Sequence, residues 1–128
     1  MTKKRVLKTK NFARWMLKNN LCGNDLLNSV KEMEGGLIDA DLGCNLYKKR
    51  IALAGGGKRS GARVIVASRL LKRWFFIFGF AKNEKSNISK DELLYLQEAA
   101  KRLLNLADRD IDTAISNGEL KELKTHDK

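Results

Sequence analysis

The sequence contains no proline, one histidine, two cysteines and no long apolar run. No internal repeat or low-complexity segment divides its 128 residues either, so the length is read as a single domain, 1–128, large enough to bury a core. The longest apolar run, WFFIFGFA (Trp74–Ala81), has 8 residues. That is far short of the roughly 20 needed by a membrane-spanning helix. The basic start MTKKRVLKTK is not followed by the apolar region and small-residue cleavage site of a signal peptide. Cys22 and Cys44 have neither CxxC spacing nor a neighbouring histidine, which excludes a zinc or redox motif and leaves two reduced, half-buried thiols. The lone His126 sits in the polar tail, away from every segment that carries chemistry. These absences point to a cytoplasmic chain with no membrane partner.

Acidic residues are also scarce, but only in places. Residues 1–20 hold seven Lys/Arg and no Asp/Glu, and residues 45–90 hold twelve Lys/Arg against Glu84 alone. Residues 21–44 are net −4 and residues 91–128 net −3, so the overall charge of +11 is concentrated rather than dispersed. A solubilising surface would mix its signs along the chain; this clustering points to a polyanionic partner.

Hydrophobic spacing gives an α+β chain. KRVLKT (Lys4–Thr9) reads as a short edge strand, its lysines suited to an exposed edge. Phe12, Trp15 and Met16 recur at helical spacing from Thr9 or Asn11, and Leu26, Leu27, Val30 and Met33 mark a second helix capped by Asn24 and stopped at Gly35-Gly36. The two form an antiparallel hairpin. NLYKKRIAL (Asn45–Leu53) alternates so that Leu46, Lys48, Arg50 and Ala52 share one face while Tyr47, Lys49 and Ile51 share the other. ARVIVASRL (Ala62–Leu70) places Arg63 and Arg69 on one face with Ile65 and Ala67, and WFFIFGF (Trp74–Phe80) is apolar on both faces, as a central strand is. Ser89 and Glu92 form an S-x-x-E capping box, with Ile88 and Leu93 placed for a hydrophobic staple. A leucine-rich helix follows, then a shorter one from Asp108 to Gly118 and a tail, 118–128, expected to fray.

Between the two basic strands lies AGGGKRSG (Ala54–Gly61), where glycine beside lysine suggests a phosphate site. A P-loop requires G-x-x-x-x-G-K-[ST]; here Lys58 is followed by Arg59, and Ala52 stands where the first glycine belongs. A dinucleotide fingerprint fails at Ser60 and because a strand, not a helix, follows. The stretch reads as a hairpin loop with permissive glycines, offering Lys58 and Arg59 at its tip beside Lys48, Arg50 and Arg63. A phosphodiester backbone suits such a surface better than a mononucleotide does.

LYKKRIA (Leu46–Ala52), GGGKRSGARVIVA (Gly55–Ala67) and RWFFIFGFAKNEKSNIS (Arg73–Ser89), taken in this order after a strand and two helices, resemble the RelE/ParE superfamily of bacterial toxins, and more narrowly its RelE/HigB-like branch. The resemblance implies a small antiparallel β-sheet packed against an N-terminal two-helix hairpin, with additional C-terminal helices. It also implies a toxin of a type II toxin–antitoxin system that cleaves mRNA, often on the ribosome, without cofactor or metal. The implied partner is an antitoxin, commonly a helix-turn-helix protein encoded beside it. The implied catalytic set is Lys48, Arg50, Arg63 and Lys82, with Lys49, Lys58, Arg59, Arg69 and Lys85 as further RNA-binding cations. Two positions depart from the family pattern. Asn83 stands where some members carry arginine, and KSNIS offers neither the tyrosine nor the histidine used by some as general acid.

Cleavage of this kind needs a base for the 2′-hydroxyl, cations for the phosphorane and an acid for the leaving 5′-oxygen. Lys48, whose cationic neighbours favour the neutral amine, is the candidate base; Arg50 and Arg63 are the stabilising cations and Lys82 a cation or acid. Tyr47 is a spare acid, although alternation turns it away from Lys48. Two other readings remain open from sequence: a non-cleaving inhibitor of DNA gyrase like the ParE branch, and a non-catalytic RNA-binding module.

Overall fold

The computed structural model describes residues 4–52, 61–70, 72–81 and 87–124. In chain order the elements are β1 (Arg5–Thr9), α1 (Lys10–Lys18), α2 (Gly23–Glu34), β2 (Ala40–Asp41), β3 (Leu46–Ile51), β4 (Ala62–Ser68), β5 (Arg73–Ala81), α3 (Lys90–Leu104), α4 (Asp108–Ser116) and β6 (Leu120–Leu123). The strands form one six-stranded sheet in the order β2-β3-β4-β5-β1-β6. Its pairs are antiparallel except β1 with β5, which is parallel.

Helices cover both faces. On one, Phe12 and Met16 of α1 and Leu26, Val30 and Met33 of α2 pack against Val6, Ile51, Val64, Val66, Trp74 and Phe76. On the other, Leu96, Ala100 and Leu104 of α3 and Ile111 of α4 pack against Leu7, Leu46, Ile65, Ala67, Phe75 and Ile77. β5 is therefore apolar on both sides for the expected reason: it lies between β4 and β1 and under helices above and below. Full burial of each of Trp74, Phe75 and Phe76 contributes about 1.5–3 kcal/mol, the main local reason this strand occupies the centre.

Sequence expectation and structure part company at both ends. KRVLKT is not an edge: β1 lies between β5 and β6, with Val6 and Leu7 completely buried on opposite faces. Its lysines misled because the neighbour that covers them comes from the tail expected to fray. Leu120–Leu123 pairs antiparallel with Val6–Thr9, and Leu120 is buried. Arg5 holds this corner, donating from Nε and Nη2 to Glu122 at 2.9 Å each and from Nη2 to Asp112 at 2.8 Å. Its hydrogen bond to Glu122 pushes the guanidinium pKa up, desolvation opposes this, and the carboxylates of α4 add to the rise. Arg73, opposite Arg5 in the parallel pair, reaches Asp108 at 2.9 Å and the Leu106 carbonyl, so two arginines fasten α4 to the sheet end.

Local signals elsewhere behave as their chemistry dictates. The Ser89 hydroxyl accepts from Glu92 N–H at 3.1 Å and the Glu92 carboxylate accepts from Ser89 N–H at 2.8 Å, closing the capping box. Ile88 and Leu93 both pack against the core on that face. Thr9 caps α1 by accepting from Phe12 N–H at 3.2 Å. The second helix begins two residues earlier than expected, at Gly23, with Cys22 rather than Asn24 at the N-cap: Asp25, at N3, reaches back so that its Oδ2 accepts from Cys22 N–H at 3.0 Å. Cys22 and Cys44 are exposed free thiols, not half-buried ones; Cys22 sits at the N-cap of α2 and Cys44 in the turn before β3. No helix among the described residues is long and apolar enough to cross a membrane.

Candidate nucleic-acid interface

β3 and β4 pair from Leu46↔Ala67 to Ile51↔Ala62, so the glycine-rich stretch joins the strands of one hairpin. Lys58 and Arg59 lie outside the described residues, as do Lys82, Lys85 and His126. The strands themselves are well defined, and their alternation follows the sequence reading. Leu46 and Ile65 enter the α3-side core, which puts Lys48, Arg50 and Arg63 on that same face, toward the hairpin end.

There the register sets Arg50 directly opposite Arg63, with Lys48 opposite Ile65. Directly opposed residues in an antiparallel pair have Cα atoms about 4.5–5.5 Å apart. Like charges at such positions destabilise a sheet. A stable small protein gains nothing structural from an Arg–Arg pair on an open strand end, and local conflicts of this kind are typical of functional surfaces. Asp39, just before β2, offsets part of the repulsion: its Oδ2 lies 3.3 Å from Arg63 Nε. Sequence reasoning missed Asp39, since nothing in the pattern IDAD ties it to a strand two places across the sheet.

Two expected RNA-binding cations do not join the cluster. Lys49 is only 4% exposed, points to the α2 face and meets Glu32 Oε1 at 2.7 Å. Alternation put it on the face away from Lys48 in any case; its ammonium is spent fastening α2 to β3. Arg69 lies beyond the other end of β4, about 20 Å of extended strand from Arg63. Its Nη1 donates to the Leu104 carbonyl at 2.9 Å, where a cation favourably meets the carboxyl end of α3. A β-strand running under a helix cannot offer one continuous cationic face; only its uncovered end does so.

Tyr47, the spare acid, packs with the α1/α2 core on the face away from Lys48, and burial, with Asp41 adding to it, pushes its phenol pKa up. Tyr95 is exposed on α3 and lines a groove of about 940 Å³ with Thr9, Asn11, Phe78 and Leu103, residues apart from the Arg50–Arg63 pair. Neither tyrosine stands with the cations.

A mostly antiparallel sheet between helices, with a basic cluster at the hairpin end of β3 and β4, defines a small α+β protein. A family model described as "RelE toxin of RelE / RelB toxin-antitoxin system" matches residues 4–123, and the chain belongs to that family. A search of curated proteins found no match. Membership makes the chain a toxin of a type II toxin–antitoxin system, with a cognate antitoxin as its partner.

Proposed function

We propose that this toxin is a metal-independent endoribonuclease of the RelE/HigB-like branch that cleaves mRNA, on the ribosome, and so inhibits translation in the cytoplasm. The observation that carries the reading is the Arg50–Arg63 pair, set directly opposite across β3 and β4 with Lys48 on the same face. In this reading the Lys48 amine removes the proton of a ribose 2′-hydroxyl. The 2′-oxygen then attacks phosphorus, the bond to the 5′-oxygen breaks, and a 2′,3′-cyclic phosphate and a free 5′-hydroxyl result. Arg50 and Arg63 stabilise the dianionic phosphorane, where charge develops most. Lys82, which follows the last residue of β5, is the cation or acid nearest in sequence to this end of the sheet; Lys58, Arg59 and Lys85 extend the RNA contact. A single domain over 1–128, with the α1–α2 pair as an antiparallel hairpin, and an adjacent gene for a helix-turn-helix antitoxin belong to the same reading.

The test is a cell-free translation reaction programmed with a defined mRNA, in which cleavage is mapped by primer extension, alongside growth after induction. Wild-type protein is expected to cut the message and arrest growth, and Lys48→Ala and Arg63→Ala to lose most of both. Unchanged cleavage in both variants would sink the assignment. Growth arrest with intact mRNA and blocked gyrase supercoiling would make the protein a ParE-type inhibitor instead.

A further inference from the structure

The acidic stretch Glu32–Asp41 is turned on the chain itself. Glu32 meets Lys49, Glu34 meets Lys4 at 2.9 Å, and Asp41 accepts from Gly43 N–H at 2.9 Å. Of these acids, Asp39 alone touches a member of the cationic pair. Its backbone N–H donates to the Lys48 carbonyl at 3.0 Å, which ties it to β3, while its carboxylate spans that strand to reach Arg63 on β4. Asp39 thus bridges the strand of the candidate base and the strand of the candidate phosphorane-stabilising arginine. The pair is largely covered, with 18% of the Arg63 side chain and 26% of the Asp39 side chain exposed.

The direction of approach matters more than the contact itself. A guanidinium is a planar fork of five donors, and a phosphodiester is best held by two parallel donors from one edge. Asp39 comes closest at Nε, at 3.3 Å, and not at the terminal nitrogens that a phosphate would meet. On the other side, Gly61 leaves Nη1 room: even a Cβ built there would stand at an ordinary contact distance of 3.9 Å. The carboxylate therefore holds Arg63 by its Nε at the strand position opposite Arg50, against the repulsion of a like charge.

We propose that Asp39 is a positioning residue: it orients Arg63 so that the terminal guanidinium edge meets the scissile phosphate, a role that rests on the ribonuclease reading above. It acts through Arg63 and touches no reacting atom. A misplacement of about 1 Å in such a group costs roughly 100-fold in rate. Removing Asp39 is therefore expected to slow the chemical step without weakening RNA capture, since the variant carries one negative charge fewer near the phosphates.

The experiment compares single-turnover mRNA cleavage on programmed ribosomes by wild type, Asp39→Ala, Asp39→Asn, Arg63→Ala and the Asp39→Ala/Arg63→Ala double variant. Asp39→Ala is expected to lower kcat roughly 10- to 100-fold with KM changed less than about threefold. Asp39→Asn, which keeps the shape and an oxygen facing Arg63 but not the charge, recovers part of the loss. On the Arg63→Ala background the Asp39 substitution has no further effect. Faster cleavage by Asp39→Ala would make the carboxylate a mask over Arg63 and overturn the proposal. So would a loss that persists unchanged without Arg63, because Asp39 would then be supporting the fold in general. The Arg63 Nε–H resonance, followed by ¹⁵N NMR, reads the contact independently of any cleavage: slow solvent exchange in wild type and fast exchange in Asp39→Ala is expected, and equal rates refute it. A wild type that leaves mRNA intact while keeping that slow exchange would refute the ribonuclease reading and the role of Asp39 in it, leaving the ion pair standing.

Discussion

Replacing Gly79 with alanine drives a methyl group into an indole ring. A Cβ built at Gly79 would lie 2.5 Å from Cε3 and Cζ3 of Trp15 and 2.8 Å from its Cδ2. Carbon atoms in favourable contact stand about 3.5–4.0 Å apart, so about 1 Å of space is missing at three ring atoms at once. The ring has little freedom to withdraw: Trp15 is tilted against Phe12 at 5.5 Å between centroids, and Phe12 against Phe76 at 5.6 Å. Overpacking of this kind costs about 1–3 kcal/mol. Opposing it, alanine restricts the unfolded chain at a position with no left-handed φ to forbid it, a gain of about 0.4–1 kcal/mol. The difference leaves a net loss of about 1–2 kcal/mol, or a fall in Tm of roughly 3–8 °C for a domain of this size. Urea titration followed by tryptophan fluorescence, with thermal melts by circular dichroism, measures it. The decisive comparison is the same substitution in a Trp15→Leu background, where the ring is gone and alanine becomes neutral or stabilising. A Gly79→Ala protein within 0.5 kcal/mol of wild type, or an equal penalty in both backgrounds, refutes the close approach of α1 to β5.

The remaining predictions concern lysines on either side of the sheet. Lys49→Met replaces a buried ammonium with an apolar chain of similar length and leaves Glu32 half exposed, so stability is expected to hold or rise. RNA affinity in that variant keeps the wild-type salt dependence, whereas Arg50→Ala shallows the slope of log K against log salt by about 0.7; an equal change in Lys49→Met would show that Lys49 meets phosphate after all. Lys8, with its Nζ 3.7 Å from Met16 Sδ and Lys121 opposite in the strand pair, has its pKa lowered, first by burial and then by that second lysine. The folded state therefore disfavours the Lys8 cation. Lys8→Met is expected to raise Tm at pH 7, with the advantage shrinking as pH rises through the lowered folded pKa toward the ordinary lysine value, because the folded wild type sheds its proton before the unfolded chain does. A gain that is constant across pH, or a loss at pH 7, contradicts the assignment.

Which parts of this molecule could be read from residues follows from the range of the forces involved. The capping box at Ser89, the glycine stop at Gly118 and the two-faced burial of Trp74–Phe80 are set by neighbours within a few residues, and sequence shows them directly. The face shared by Lys48, Arg50 and Arg63 was legible for the same reason, since strand alternation has a period of two. Position in the sheet was not. Whether β1 is an edge depends on a partner at the other end of the chain, and the parallel β1–β5 pair leaves no trace in either strand alone. The β-bulge opposite Ile65/Val66 is equally silent: Ile65 faces Phe78 while Val66 faces Phe76, so Phe75, Ile77 and Phe80 all reach the same core although their numbering does not alternate. Lys49 and Arg69 stand apart from the cationic cluster because helices α2 and α3 recruit them, and Asp39 was overlooked because its partner is brought to it only by the finished sheet.

The seam between β1 and β6 bears on when the toxin becomes whole. Arg5 and Glu122, bonded across it, are 117 residues apart. As the chain leaves the ribosome, its first strand is made early but waits for Arg73–Ala81 on one side and for Leu120–Leu123 on the other. Closing so long a loop costs more entropy than closing the β3–β4 hairpin does. A chain without β6 therefore keeps an open hydrogen-bonding edge along β1 and a half-built corner around Arg5.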